Sequence, residues 1–404
     1  MNFWTSSSSK TQLVWALLTL LTLPNCTLWK GQSAEPPQLD SPASDGVAAR
    51  RGDLIAVFPV DNLTGWGAPL ETVDAVLRAH LDRRGFRIVD DRTLAKIMKR
   101  YRVRHTGSLG SRVSQVLEEE VGVAGVLMTS LEVYYDDESP RISLMSRLVV
   151  GGDRPEIAWV DGVGLAGEGH PGLFARGRID EVGGLLEIGT RCLVDSLAIS
   201  FFGTGAPDPS NTRSEFNQCD SRGDVVYSPP EANGKRKFRP RKAFGSPIAD
   251  VDRRYSMAVI PFLNQSQRKN AGRILELHFV NQLFRNESLS VVEPGLVREK
   301  LLEHRVVMPA GPSLDNAAAL TNDDSLGVDL VLSGVVFDYQ DAYGIPKIDF
   351  SVTMIEKESG RVVWSSRSHG TGDDGVLFFD LGMVHTAHQL ASEMVRGTSE
   401  ALSQ

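Results

Sequence analysis

The chain repeats itself. Ile55-Ala56-Val57-Phe58-Pro59-Val60-Asp61-Asn62 is answered by Met257-Ala258-Val259-Ile260-Pro261-Phe262-Leu263-Asn264. Four further stretches match in the same order: 73–84 with 274–285, Phe86–Asp90 with Leu289–Glu293, Gly125–Tyr134 with Leu330–Tyr339, and Ile157-Ala158-Trp159 with Val362-Val363-Trp364. The offset is 202 residues at Ile55/Met257 and 205 at Trp159/Trp364, a drift that small loop insertions produce and a chance match would not keep in order. A chain with this pattern must build one domain-sized unit twice.

Each copy predicts strand, helix, strand, helix, a further helical or loop segment, three strands and a long final helix. Leu94, Ile97, Met98 and Tyr101 recur at i, i+3, i+4 and i+7, the stripe of an amphipathic helix. Ile348, Phe350, Val352 and Met354 alternate with polar residues, as in a half-buried strand. Short turns at Asp136–Pro140 and Gly151–Glu156, matched by Gln340–Pro346 and Lys357–Arg361, join only antiparallel neighbours, whereas the helix-separated first strands must be parallel. The expected fold class is α/β (α+β): two tandem repeats, each a mixed sheet with a parallel βαβ part and an antiparallel three-strand meander, backed by helices.

The ends and the middle differ in kind. Lys10 precedes the apolar run Leu13–Leu23, whose eleven residues fall short of the ~20 a membrane-spanning helix needs and match the apolar core of a secretory signal. The run closes on Leu23-Pro24-Asn25-Cys26. This resembles a bacterial lipobox, which implies a lipidated Cys26 as mature amino terminus. Asn25 stands where Gly, Ala or Ser is usual, so plain secretion stays open. Residues 27–53, with Pro36-Pro37, Pro42 and several serines, predict a disordered tether averaging ~30 Å end to end. The predicted organisation is a signal peptide over 1–25, a lipidated tether over 26–53, a first domain over 54–202, a Pro/Gly-rich basic linker over 203–254 and a second domain over 255–404, the two domains folding separately.

Charge narrows the partners. Of 404 residues, 43 are Lys or Arg and 51 Asp or Glu, a net charge of −8, so no overall basic field favours nucleic acid. The linker run Lys235–Lys242 holds six bases in eight residues and predicts a solvated linker, or contact with the anionic envelope. A second basic segment lies inside the first copy. From Arg78 to Arg112 eleven Lys and Arg face three Asp, while the matching part of the second copy is balanced. With Leu94, Ile97, Met98 and Tyr101 buried, Arg92, Lys96, Lys99, Arg100, Arg102 and Arg104 form a candidate binding ridge for an acidic protein or anionic phospholipid head groups.

The strand openings Ala56–Asn62 and Ala258–Asn264 and the turn Ser359-Gly360-Arg361-Val362-Val363-Trp364-Ser365 resemble a family of bacterial envelope domains. That family includes the curli-secretion lipoprotein, lipoprotein activators of penicillin-binding proteins and the amino-terminal domain of the Tol-system translocation protein. The Pro ends the strand ladder and the Asn can bond nearby backbone at the following turn. The resemblance covers about 150 residues of each copy and implies fold and location more than activity. Pore-forming members add long amphipathic hairpins, and Val103–Glu120 is too short and polar to be one.

Catalytic chemistry has little footing. Gly162-Val163-Gly164-Leu165-Ala166-Gly167 matches GxGxxG outside any βαβ unit and predicts a permissive turn after the meander, not a cofactor loop. His385 and His388, three apart on the expected final helix, share a face but lack a carboxylate framework, so no metal site is predicted. Asp136-Asp137-Glu138 and Asp373-Asp374 are expected solvated turns, and Cys192 a free core cysteine that could reach Cys219. GxSxG and Walker-type loops are absent. The sequence therefore predicts a non-enzymatic lipoprotein without cofactor, anchored in the periplasm to the outer membrane, or soluble there or secreted if Cys26 is not lipidated. It would bind another envelope protein in assembly or secretion. The alternative is a periplasmic ligand-binding or catalytic protein using a groove between the domains.

Overall fold

The computed structural model describes residues 53–168, 179–202, 238–245, 253–306, 313–322, 324–341, 344–357, 359–374, 376 and 383–402. The first copy runs β1 (Leu54–Val57), β2 (Asp61–Asn62), α1 (Leu70–Arg83), β3 (Arg87–Ile88), α2 (Asp91–Arg100) and α3 (Ser111–Val116), which continues as a π-helical turn to Val121. It ends with β4 (Val123–Tyr135), β5 (Arg141–Val150), β6 (Glu156–Ala166) and α4 (Val182–Phe202). After β7 (Lys242–Gly245) the second copy repeats the series. It opens with β8 (Tyr255–Val259), β9 (Leu263–Asn264), α5 (Ala271–Phe284), β10 (Leu289–Val291), α6 (Pro294–Glu303) and α7 (Leu314–Thr321). It closes with β11 (Leu330–Gln340), β12 (Lys347–Glu356), β13 (Val362–Thr371) and α8 (Ala387–Leu402).

Both sheets are mixed, in the order β3-β1-β4-β5-β6 and β10-β8-β11-β12-β13-β7. The strands separated by helices are parallel and the three joined by short turns antiparallel, as the loop lengths require. Each strand opening ends at its proline, and each asparagine then organises the corner. Asn62 Nδ2 donates to the Trp66 carbonyl at 2.8 Å and Asn264 Nδ2 to the Arg268 carbonyl at 2.7 Å, while each Oδ1 accepts the N–H two residues on. These are Asx turns in register in both copies.

The stretch 203–254 is not linker throughout. Lys242–Gly245 pairs antiparallel with β13 as an edge strand, and Phe238 before it is buried. Phe238 joins the main core, contributing apolar area that the Pro/Gly content of its surroundings hides.

The two copies lie within one compact unit. The layers explain why. Helices α1 and α4 cover one face of the first sheet, with Leu77, Leu81, Leu144, Leu165, Leu185 and Leu193 in one apolar cluster. The opposite face, carrying Phe58, Val126, Met128, Met145 and Val160, joins a second cluster that contains Ile274, Leu277, Phe279, Leu390 and Met394 of α5 and α8. That cluster also holds Val259, Leu332, Phe350 and Met354 of the second sheet. Helices α5 and α8 are thus sandwiched between the two sheets, and α6 and α7 close part of the far side over Ala258, Val331 and Ile355. Accordingly α5 buries Ile274, Leu275, Leu277, Phe279 and Val280 around its circumference, whereas α1 keeps Glu71, Thr72, Ala75, Asp82 and Arg83 exposed. The stack ends on polar faces, as the terminal units of a repeat array do.

Candidate functional site

The predicted ridge stands on α2. Asp90 caps the helix, accepting the Thr93 N–H at 2.9 Å, and Leu94 and Ile97 pin it to the main core. That anchoring turns Arg92, Lys96, Lys99 and Arg100 outward, and all four are exposed, as are Arg102 and Arg104 beyond the helix end. Arg100 is engaged: its guanidinium donates to both Glu120 oxygens, at 3.0 and 2.7 Å. Arg92, Lys96, Lys99, Arg102 and Arg104 form no ion pair with any described residue.

Arg102 carries a second, structural duty. Its φ is +53°, and Arg305 at the matching end of α6 has φ +59°. In each copy the next residue's N–H returns to the helix, Val103 to the Met98 carbonyl at 2.9 Å and Val306 to the Leu301 carbonyl at 2.8 Å. Both are left-handed helix stops of the Schellman kind, with arginine where glycine is usual. Burial and the nearby Arg298 and Arg273 guanidiniums hold the His105 imidazole below its ordinary value, and Arg298 is itself pushed down by burial and by Arg273.

Between the repeats lies a buried polar layer that sequence reasoning did not find. Arg147 of β5 donates from Nε and Nη2 to Glu293, the cap of α6, at 2.9 and 2.8 Å, and from Nη2 to the Gly107 carbonyl at 2.8 Å. Arg268 bonds Asp341 at 2.5 Å and also donates to the Leu63 carbonyl at 3.0 Å and the Glu132 carbonyl at 2.6 Å, its guanidinium lying over the Trp66 ring. Glu276 of α5 is buried without a close cation, and desolvation pushes its carboxyl up to about 8, against the pull of Arg273 and Arg147. Glu132 of β4, by contrast, is held at about 2; the desolvation penalty is its largest influence, but His278 and His388 together outweigh it.

Other sequence signals are relocated. Gly162 and Gly164 are not in a turn but within β6, where α8 lies directly on the sheet: a Cβ at either would come within 2.7 Å of His388. In the same register of β13 in the second sheet stand Arg367, which is exposed, and His369, which is half-buried. His385 precedes α8 instead of sharing its face with His388. Cys192 is disulfide-bonded, not free. Asp136-Asp137-Glu138 does form a turn, where Asp137 accepts the Ser139 N–H at 2.9 Å. Cys26, the tether, Cys219 and Lys235–Lys237 lie outside the described residues. No helix among the described residues is long and apolar enough to cross a membrane.

The sequence matches no family model and no curated protein. Among solved structures it is similar to the PelC dodecamer from Paraburkholderia phytofirmans, at 16% identity and a TM-score of 0.28 over 40% of this chain and 95% of that one. It is also similar to lipoprotein GNA1162 from Neisseria meningitidis, at 18% identity and a TM-score of 0.27 over 36% of this chain and 98% of that one. The LpoB C-terminal domain from Escherichia coli is similar at 22% identity and a TM-score of 0.22, over 28% of this chain and 82% of that one.

Proposed function

We propose that this chain is a non-enzymatic cell-envelope lipoprotein, held at a membrane through Cys26, that binds an acidic surface on another envelope protein with its basic ridge. The observation that carries the binding role is the contrast between copies. In the second copy Lys300 of α6 is neutralised by Glu303 at 2.9 Å, whereas on α2 Arg92, Lys96 and Lys99 are exposed and form no ion pair with any described residue. Mutual repulsion along such a helix face has a cost, and an acidic partner relieves it. The apolar run before Cys26 supports export and anchorage, with the periplasmic side of the outer membrane as the location. The part of the chain that would reach the membrane lies outside the described residues.

The test is the triple variant Lys96→Glu, Lys99→Glu, Arg102→Glu, compared with the wild type by cross-linking in intact envelopes at rising salt. Partner capture by the wild type should fall as the Debye length shrinks from ~10 Å at 0.1 M towards ~3 Å at 1 M. The variant, with unchanged circular dichroism, should capture nothing above background. Equal capture by both at low salt would remove the ridge from the interface. Binding to anionic vesicles lost in the same variant, with protein capture intact, would assign the ridge to lipid instead.

A further inference from the structure

A deeply buried titratable cluster joins three elements from both repeats. Glu132 comes from β4, His278 from α5 and His388 from the first turn of α8. Their side chains are 0, 1 and 5% accessible. Glu132 is the extra residue where the β4–β5 register shifts between Leu131 and Val133, a bulge of the kind that re-aims a side chain. The Arg268 guanidinium fixes that bulge through the Glu132 carbonyl. Gly162 and Gly164 let the His388 ring lie against the sheet, closing the cluster from that side.

The donor atoms converge as ligands do. Glu132 Oε2 is 2.7 Å from His388 Nδ1 and 3.5 Å from His278 Nε2, and one ligand atom from each residue lies within 4.8 Å of the other two. Bonds of ~2.0–2.1 Å at tetrahedral angles put donor atoms roughly 3.3–3.4 Å apart, a separation that the 2.7 and 3.5 Å distances here bracket. Ser392, one turn beyond His388 on α8, sits 3.1 Å from His278 Nδ1. When that nitrogen carries the proton and donates it to the serine oxygen, the His278 Nε2 lone pair faces the carboxylate, which is the orientation an outer hydrogen bond gives a metal-binding imidazole. His278 Nε2 and Glu132 Oε1 make no hydrogen bond although both are buried. Buried polar atoms are ordinarily satisfied, so unpaired acceptors gathered at one point call for a cation.

We propose that Glu132, His278 and His388 form a zinc site that clamps the two repeats together. Two imidazoles and a carboxylate suit zinc, and a dry site enclosed by packed side chains suits a structural ion. Binding free energy at such a site is folding free energy, here directed to holding α5 and α8 against the first sheet.

The full chain, purified without a polyhistidine tag and stripped with a chelator, should take up roughly one zinc per chain and bind cobalt(II) with the intense visible bands of tetrahedral coordination, displaced by zinc. The double variant His278→Gln, His388→Gln should lose the metal and the bands. Ser392→Ala, which leaves all three ligands in place, should weaken zinc binding about 10–100-fold and guards against a double variant that fails to fold. Zinc retained by the double variant, six-coordinate cobalt spectra, or no uptake above a control protein would each overturn the site. In the last case the cluster is a buried carboxylate hydrogen-bonded within the packed layer and nothing more.

Discussion

Arg147 and Glu293, 146 positions apart, meet in a two-pronged ion pair that is sealed from solvent between the repeats. Both have side-chain exposures of 2% or less, and Glu293 also accepts the Gly295 N–H at 3.2 Å to cap α6. Removing one partner leaves the other charge buried, which typically costs about 3–5 kcal/mol. Arg147→Met and Glu293→Gln should each lose stability on that scale in urea titrations. Arg147→Met with Glu293→Gln should lose much less than the sum of the single variants, because it leaves no buried charge unpaired. Additive losses would mean that the two groups are solvated separately.

How much of this was legible in the sequence depends on the range of each signal. The Asn62 and Asn264 corners, the Leu94/Ile97 stripe and the strand alternation at Ile348–Met354 are local patterns, and they are in place. The stacking of the copies was not foreseen, although its trace was present. Helix α5 carries Ile274, Leu275, Leu277, Phe279 and Val280, apolar on every side, and a helix without a polar face must be covered on both. The candidate site left no such trace. Glu132 and His278 stand in no motif, because their neighbour His388 comes from an element 256 residues beyond Glu132 and only the folded layers bring them together. The ridge was visible as charge, but the sequence could not show that Arg100 is paired with Glu120 or that Arg102 is a helix stop.

Stability should fall as pH rises through neutrality because of Glu276. Its folded carboxyl is raised from 4.5 to about 8, so between those values the folded chain holds a proton that the unfolded chain has released. Its stabilising contribution is therefore complete below about 4.5 and is lost by up to ~1.4 kcal/mol per pH unit until about 8. Glu276→Gln should flatten that part of the stability–pH curve and raise the melting temperature most near pH 8. A wild-type curve that is flat or rising between pH 5 and 8, unchanged in the variant, would place the carboxyl in contact with solvent.

Separating the copies should expose the face that α5 and α8 cover. A fragment over residues 54–202 would present Phe58, Met128, Met145 and Val160 to water, side chains whose burial is worth about 1.5–3 kcal/mol each. Expressed alone it should aggregate or bind a hydrophobic dye. Co-expressed with residues 238–404 it should be recovered as a soluble one-to-one complex. A monomeric, dye-negative fragment with a cooperative unfolding transition would show that the first copy is self-sufficient.

Two glycines test the same packing with opposite signs. A Cβ on Gly164 would lie 2.7 Å from His388 Cβ and 2.9 Å from Thr386 Oγ1, atoms close to the α8 backbone that cannot swing away. Relief requires α8 to lift from β6, so Gly164→Ala should cost about 1–3 kcal/mol, the usual range for overpacking. Gly183 of α4 has nothing within 4 Å of its Cβ position, and alanine there removes unfolded-chain freedom and favours the helix by roughly 0.5–1 kcal/mol. The second sheet supplies the natural control, since Arg367 and His369 occupy the registers of Gly162 and Gly164 where no helix from another repeat lies over the strand. Arg367→Gly should accordingly cost its exposed pairing with Asp349 and its stacking on the Phe337 ring, each ~1 kcal/mol or less, apart from the strand entropy of glycine. If thermal unfolding finds Gly164→Ala as harmless as Gly183→Ala, α8 does not sit on β6 at the separation described.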